Sequence, residues 1–71
     1  MELHLLTSDA TGLVHVFGPG MTPLGAVGRN PAAPSRWSIA YGKGGFEIEF
    51  ETQRHPTRAA AVAALVTSRK G

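Results

Sequence analysis

Apolar and polar positions change rhythm three times along this chain, and each change marks a boundary. Leu3 to Thr7 and Leu13 to Phe17 read as two strands, and the turn formers Ser8-Asp9-Ala10-Thr11-Gly12 between them predict a hairpin. Both strands are apolar on both faces: Leu3 and Leu5 against Leu6, then Leu13 and Phe17 against Val14 and Val16. Strands of that kind are covered on two sides or sit in the middle of something. Residues 18–35 break the rhythm with four glycines and four prolines, and they carry almost no charge. The segment reads as a long loop, with Met21, Leu24 and Val27 as apolar anchors that wrap the domain or clamp a partner.

Strict alternation returns in Arg36-Trp37-Ser38-Ile39-Ala40-Tyr41 and in Phe46-Glu47-Ile48-Glu49-Phe50-Glu51, on either side of Gly42-Lys43-Gly44-Gly45. With Lys43-Gly44 as the hairpin loop, Tyr41 faces Phe46, Ile39 faces Ile48 and Trp37 faces Phe50. That register gathers the six apolar residues on one face and sets Arg36 against Glu51 on the other. His55-Pro56 then opens a helix over residues 57–69, ended by Lys70-Gly71. Val62, Leu65 and Val66 form its core stripe. The opposite side carries Ala60, Ala64, Thr67 and Ser68, flanked by Ala61 and Ala63, where a solvent face normally carries Lys and Glu. Small residues at i and i+4 permit close approach of a second copy, a partner, or the chain's own 18–35 segment. The pattern as a whole predicts an α+β fold. A mostly antiparallel four-stranded sheet of two hairpins carries one C-terminal helix on the face of Trp37, Ile39, Tyr41, Phe46, Ile48 and Phe50.

Composition sharpens this picture. The 71 residues make one small domain, and ten of the thirty apolar residues are alanine. A chain this short buries about 60% of its unfolded surface, so its core is one thin layer of helix on sheet or a half-core completed by a second subunit. Cysteine is absent, which removes disulfides, thiolate metal sites and cysteine nucleophiles and leans toward a cytoplasmic setting. Met1-Glu2-Leu3-His4-Leu5-Leu6 has an acid where a secretory signal has Lys or Arg, and no run approaches a membrane span. Abundant Ala, Gly, Pro and Arg with two Lys fit a GC-rich bacterial or phage genome. The net charge of +2 permits a nucleic-acid partner without requiring one.

Catalytic and metal-binding patterns are weak. His4, His15 and Glu2 meet if the first hairpin forms, but no HxH or HExxH spacing supports a metal. Glu47, Glu49 and Glu51 read as a solvated stripe on an open strand face. Gly25 to Gly28 and Gly42 to Gly45 lack the strand, helix and GK[ST] context of phosphate loops and read as turns. Residues 36–68, with W-x-I-x-Y, a glycine turn, F-E-I-E-F-E-T and an alanine-rich helix, resemble the β-sheet DNA-binding modules at the N-termini of phage-type integrases. The resemblance implies DNA binding through an exposed sheet face. The chain departs from it where that face would carry Glu47, Glu49 and Glu51, which repel phosphate, so membership does not follow.

The sequence therefore points to a non-enzymatic interaction module without cofactor or metal. It completes its core by self-association or by docking a protein through Ala60, Ala64, Thr67, Met21 and Leu24. The alternative is a DNA- or RNA-binding accessory protein using Lys43, Arg54, Arg58, Arg69 and Lys70.

Overall fold

Five strands and one helix follow one another in the computed structural model, which describes residues 2–44 and 47–70, the side chains at 43, 44, 69 and 70 excepted. They are β1 (His4–Thr7), β2 (Val14–Phe17), β3 (Pro23–Asn30), β4 (Ala33–Gly44), β5 (Glu47–Phe50) and α1 (Arg58–Lys70), with a short 3-10 turn at Pro19–Met21. Each strand pairs antiparallel with its sequence neighbours, in the order β1-β2-β3-β4-β5, and the sheet stays open. The α+β class and the helix-on-sheet arrangement are as expected. The strand number is five, not four.

The additional strand comes from the segment read as a loop. β3 occupies the centre of the sheet, and its glycines and proline each have a structural use. Pro23 is its first residue, a position that needs no ladder donor. Gly25 and Gly28 lie where side chains from other elements press on the backbone. Pro31-Ala32 is a tight connection to β4, held by the Asn30 Oδ1 atom accepting the Ala32 N–H at 2.9 Å. Across the same pair of strands Arg29 faces Trp37, its guanidinium 5.3 Å from the ring centroid, and donates to the Pro34 carbonyl.

The first hairpin forms as read, with His4 opposite Phe17, Leu5 opposite Val16 and Leu6 opposite His15. Gly12 turns the chain with φ 75°, and its N–H donates to the Ser8 carbonyl at 2.8 Å. The second hairpin forms in a different register. Ala40 faces Phe50, Tyr41 faces Glu49 and Gly42 faces Ile48, with a bulge between Gly42 and Gly44. This is an odd displacement from the expected pairing, so every side chain of β5 changes face. Ile48 and Phe50 lie on the opposite side from Trp37 and Ile39, and Phe46 lies outside the described residues. The reason is steric. Phe50 finds a seat over Gly28 beside Leu13, and small Ala40 opposite leaves room for its ring.

Ser38, expected beside Glu49 on a wet face, is fully buried instead. Its hydroxyl accepts from Asn30 Nδ2 at 3.0 Å and donates to the Gln53 carbonyl at 2.8 Å, which satisfies both buried groups. The chain after β5 keeps pairing with β4, through Glu51 to Ile39 and through His55 to Trp37.

Thr57 caps α1: its Oγ1 accepts the Ala60 N–H at 3.1 Å. Thr57→Ala is expected to cost about 1 kcal/mol, read as a lower urea midpoint with unchanged slope. The helix seals one core, built from Val14, Val16, Val27 and Ile39 of the sheet against Ala61, Val62 and Leu65. Val16, Val27 and Ala61 are completely buried. Leu24, Trp37, Ala64 and Val66 pack around that cluster.

Candidate functional site

The sheet face away from α1 carries a second, smaller core. Leu13, Ala26 and Ala40 are buried there with no helix above them, and Phe50 packs against them. Alternation along β4 brings Ser38, Ala40 and Gly42 to this face, and alternation along β3 brings Ala26 and Gly28. The middle of the face is therefore a low floor of small residues. Leu13 and Phe50 close over one end of it, both approaching Gly28 so tightly that a Cβ there would sit 2.6 Å from Leu13 Cδ2.

Beside that closure the floor stays open as a trough of about 510 Å³. Leu13, His15, Phe17, Ala40, Gly42 and Ile48 contribute to its lining. Among the described residues the lining holds no Asp, Glu, Lys or Arg. Ile48 is exposed, as is Leu6 of β1, which shares the face of His15 by pairing with it. Tyr41 borders the trough, but its hydroxyl is engaged by Glu49 across the strand pair. That hydrogen bond to a carboxylate, then desolvation and the charges of Glu49 and Glu51, hold the phenol above its usual range.

The residues singled out in the sequence fall in several places. Ala64 and Leu24 are half-buried and already packed against the core under α1, and Ala60 is half-buried beside fully buried Ala61. Ala61 and Ala64 thus serve the helix's close approach to its own sheet, where Leu65 lies over Gly25. Thr67 and Met21 are exposed, and Met21 has a left-handed φ of 59° that side chains seldom adopt. Arg54 and Arg58 are exposed near the start of α1, while the side chains of Lys43, Arg69 and Lys70 lie outside the described residues.

The glutamate stripe is corrected by the register. Glu47 and Glu49 flank Ile48 and point to the helix-bearing side, so the uncovered face is apolar and not acidic. His4 shares that face with His15, one diagonal step away, and forms an ion pair with Glu2 at 3.1 Å when protonated. Among the described residues no three His, Asp or Glu side chains gather into a metal-ligand set. Among them, too, no helix is long and apolar enough to cross a membrane.

The trough itself was missed in the sequence, although two signals of it were there. One is the doubly apolar β2. The other is the run of small residues at alternate positions, Ser38, Ala40 and Gly42.

No protein-family model matches the chain, and no curated protein or solved structure matches it significantly.

Proposed function

We propose that this chain is a non-enzymatic interaction module that docks an apolar segment of another protein in the trough between Phe17 and Ile48. The observation that carries the reading is a concavity on the sheet face away from α1 that is apolar and uncharged among the described residues. Its volume lies within the range of about 300–1,000 Å³ typical of binding pockets. Its shape selects the class of occupant. A low floor of small residues between larger walls receives a protruding ridge, and an identical concave face would leave a void against it. Its chemistry agrees. The described lining offers no charge to phosphate and no carboxylate or amine to pair with His15 for acid–base work. This reading puts the protein interface on the trough, since Ala64 and Leu24 of the small-residue and loop set are packed against the core under α1.

The test is selection of peptides from a random library on the immobilised full chain, followed by anisotropy titration of the enriched peptides. Gly42→Glu supplies the control, because a Cβ at Gly42 meets nothing within 4 Å and a carboxylate there enters the trough without disturbing the fold. The expected peptides present apolar residues on one side and bind independently of salt. Gly42→Glu is expected to weaken them roughly tenfold or more, about 1.4 kcal/mol. Enriched peptides indifferent to Gly42→Glu, or no enrichment, would overturn the reading. So would binding of random duplex DNA whose log affinity falls by about 0.9 per phosphate contact with log salt, which would return the function to Arg54, Arg58 and their basic neighbours.

A further inference from the structure

The two edges of the sheet differ in character. β5 borders one edge with Glu47 and Glu49, and charges of that kind discourage strand addition. β1 forms the other edge with His4-Leu5-Leu6-Thr7, which contains no proline, lysine or arginine and no bulge in its pairing with β2. Leu5 is 42% exposed on the helix side and Leu6 is 55% exposed on the trough side. A bare edge of this kind has its own requirements for a partner. Its outward backbone donors and acceptors need an extended strand, and Leu5 at its middle needs an apolar residue opposite it. A second β1 meets both needs, because an antiparallel pair centred on Leu5 sets Leu5 against its own copy.

We propose that the free edge of β1 pairs with β1 of a second copy of this chain, antiparallel, around a two-fold axis at Leu5. The inference uses a different surface from the trough and does not rest on the docking reading. A two-fold axis normal to the sheet sets Leu5 against its own counterpart. Leu3 then faces Thr7 of the partner subunit, and His4 faces Leu6 of the partner subunit. Opposed residues of an antiparallel pair share a face, so the helices of both copies lie on one side and both troughs on the other. The result is one ten-stranded sheet with two docking sites facing the same way. The glutamates on the β5 edge oppose the head-to-tail β1–β5 contact that would build open filaments, so the assembly closes at two copies.

Sedimentation equilibrium of the full chain over a wide concentration range tests this, with Leu5→Lys and Gly42→Glu as paired variants. Hydrogen exchange of the β1 amides is followed over the same range. The expected result is a reversible, salt-insensitive monomer–dimer equilibrium, lost in Leu5→Lys and retained in Gly42→Glu, with β1 amides exchanging more slowly as dimer forms. A monomer at every concentration overturns the proposal, as do polymers beyond the dimer. A dimer lost in Gly42→Glu but kept in Leu5→Lys overturns it in favour of contact through the trough. If Leu5→Lys fails to fold, the exchange of the unmodified β1 amides decides alone, and concentration-independent rates sink the proposal.

Discussion

Leu65→Ala is expected to lower the unfolding free energy by about 2–5 kcal/mol, enough to threaten the fold. Leu65 is 2% exposed and sits where α1 meets the sheet, in one cluster with Val14, Val16, Val27, Ile39, Ala61 and Val62. Truncation removes apolar contact and leaves a cavity that cannot collapse easily, because the sheet beneath is held by ladder hydrogen bonds on both sides of β3. A domain of this length has roughly 4–11 kcal/mol of stability in total. Urea unfolding followed by circular dichroism should show the midpoint falling sharply with the slope unchanged. A loss below about 1 kcal/mol would mean that α1 is not seated on β3 as described.

Gly25→Ala is expected to be damaging for two separate reasons. Gly25 has φ 150°, a backbone region that side chains avoid, at a cost of about 1–3 kcal/mol. Its added Cβ would also fall 2.9 Å from Leu65 Cδ1, and overpacking of that kind costs about 1–3 kcal/mol more. The two origins can be separated by a double-mutant cycle. Leu65→Ala makes room for the new methyl group but does nothing for the backbone. The combined variant should therefore be more stable than additivity requires, by about 0.5–3 kcal/mol. Strict additivity would show that the clash is absent and that backbone conformation alone sets the cost.

These two residues also explain what could be read from the sequence and what could not. α1 was legible because an alanine-rich run with Val62 and Leu65 in one stripe states both its conformation and its buried side. The first hairpin was legible because Gly12 and its neighbours are local turn chemistry. β3 was hidden because Gly25 and Gly28 answer to Leu65, Leu13 and Phe50, residues that lie elsewhere in the chain. A glycine placed for close approach looks, in sequence, like a glycine placed for a turn.

The β4–β5 register failed for a related reason. Alternation constrains which residues share a face within a strand, but not which partner stands opposite once a bulge intervenes at Gly42 and Gly44. Local charge pairing of Arg36 with Glu51 favoured one answer, and the non-local seat of Phe50 over Gly28 imposed another. The trough inherits that difficulty, since its floor and walls come from four strands.

The meander has a consequence for synthesis. No strand-to-strand connection is longer than the six residues between Thr7 and Val14, so the sheet can assemble by successive short-range pairings. The helix that seals it follows all five strands in the chain. Val16 and Val27 are thus translated well before Val62 and Leu65, the residues that shield them. Until α1 docks, the sheet lacks the cover of its helix while its β1 edge is bare. Any delay in docking α1 would prolong the interval in which chaperones, or neighbouring nascent chains, compete with it for the same surface.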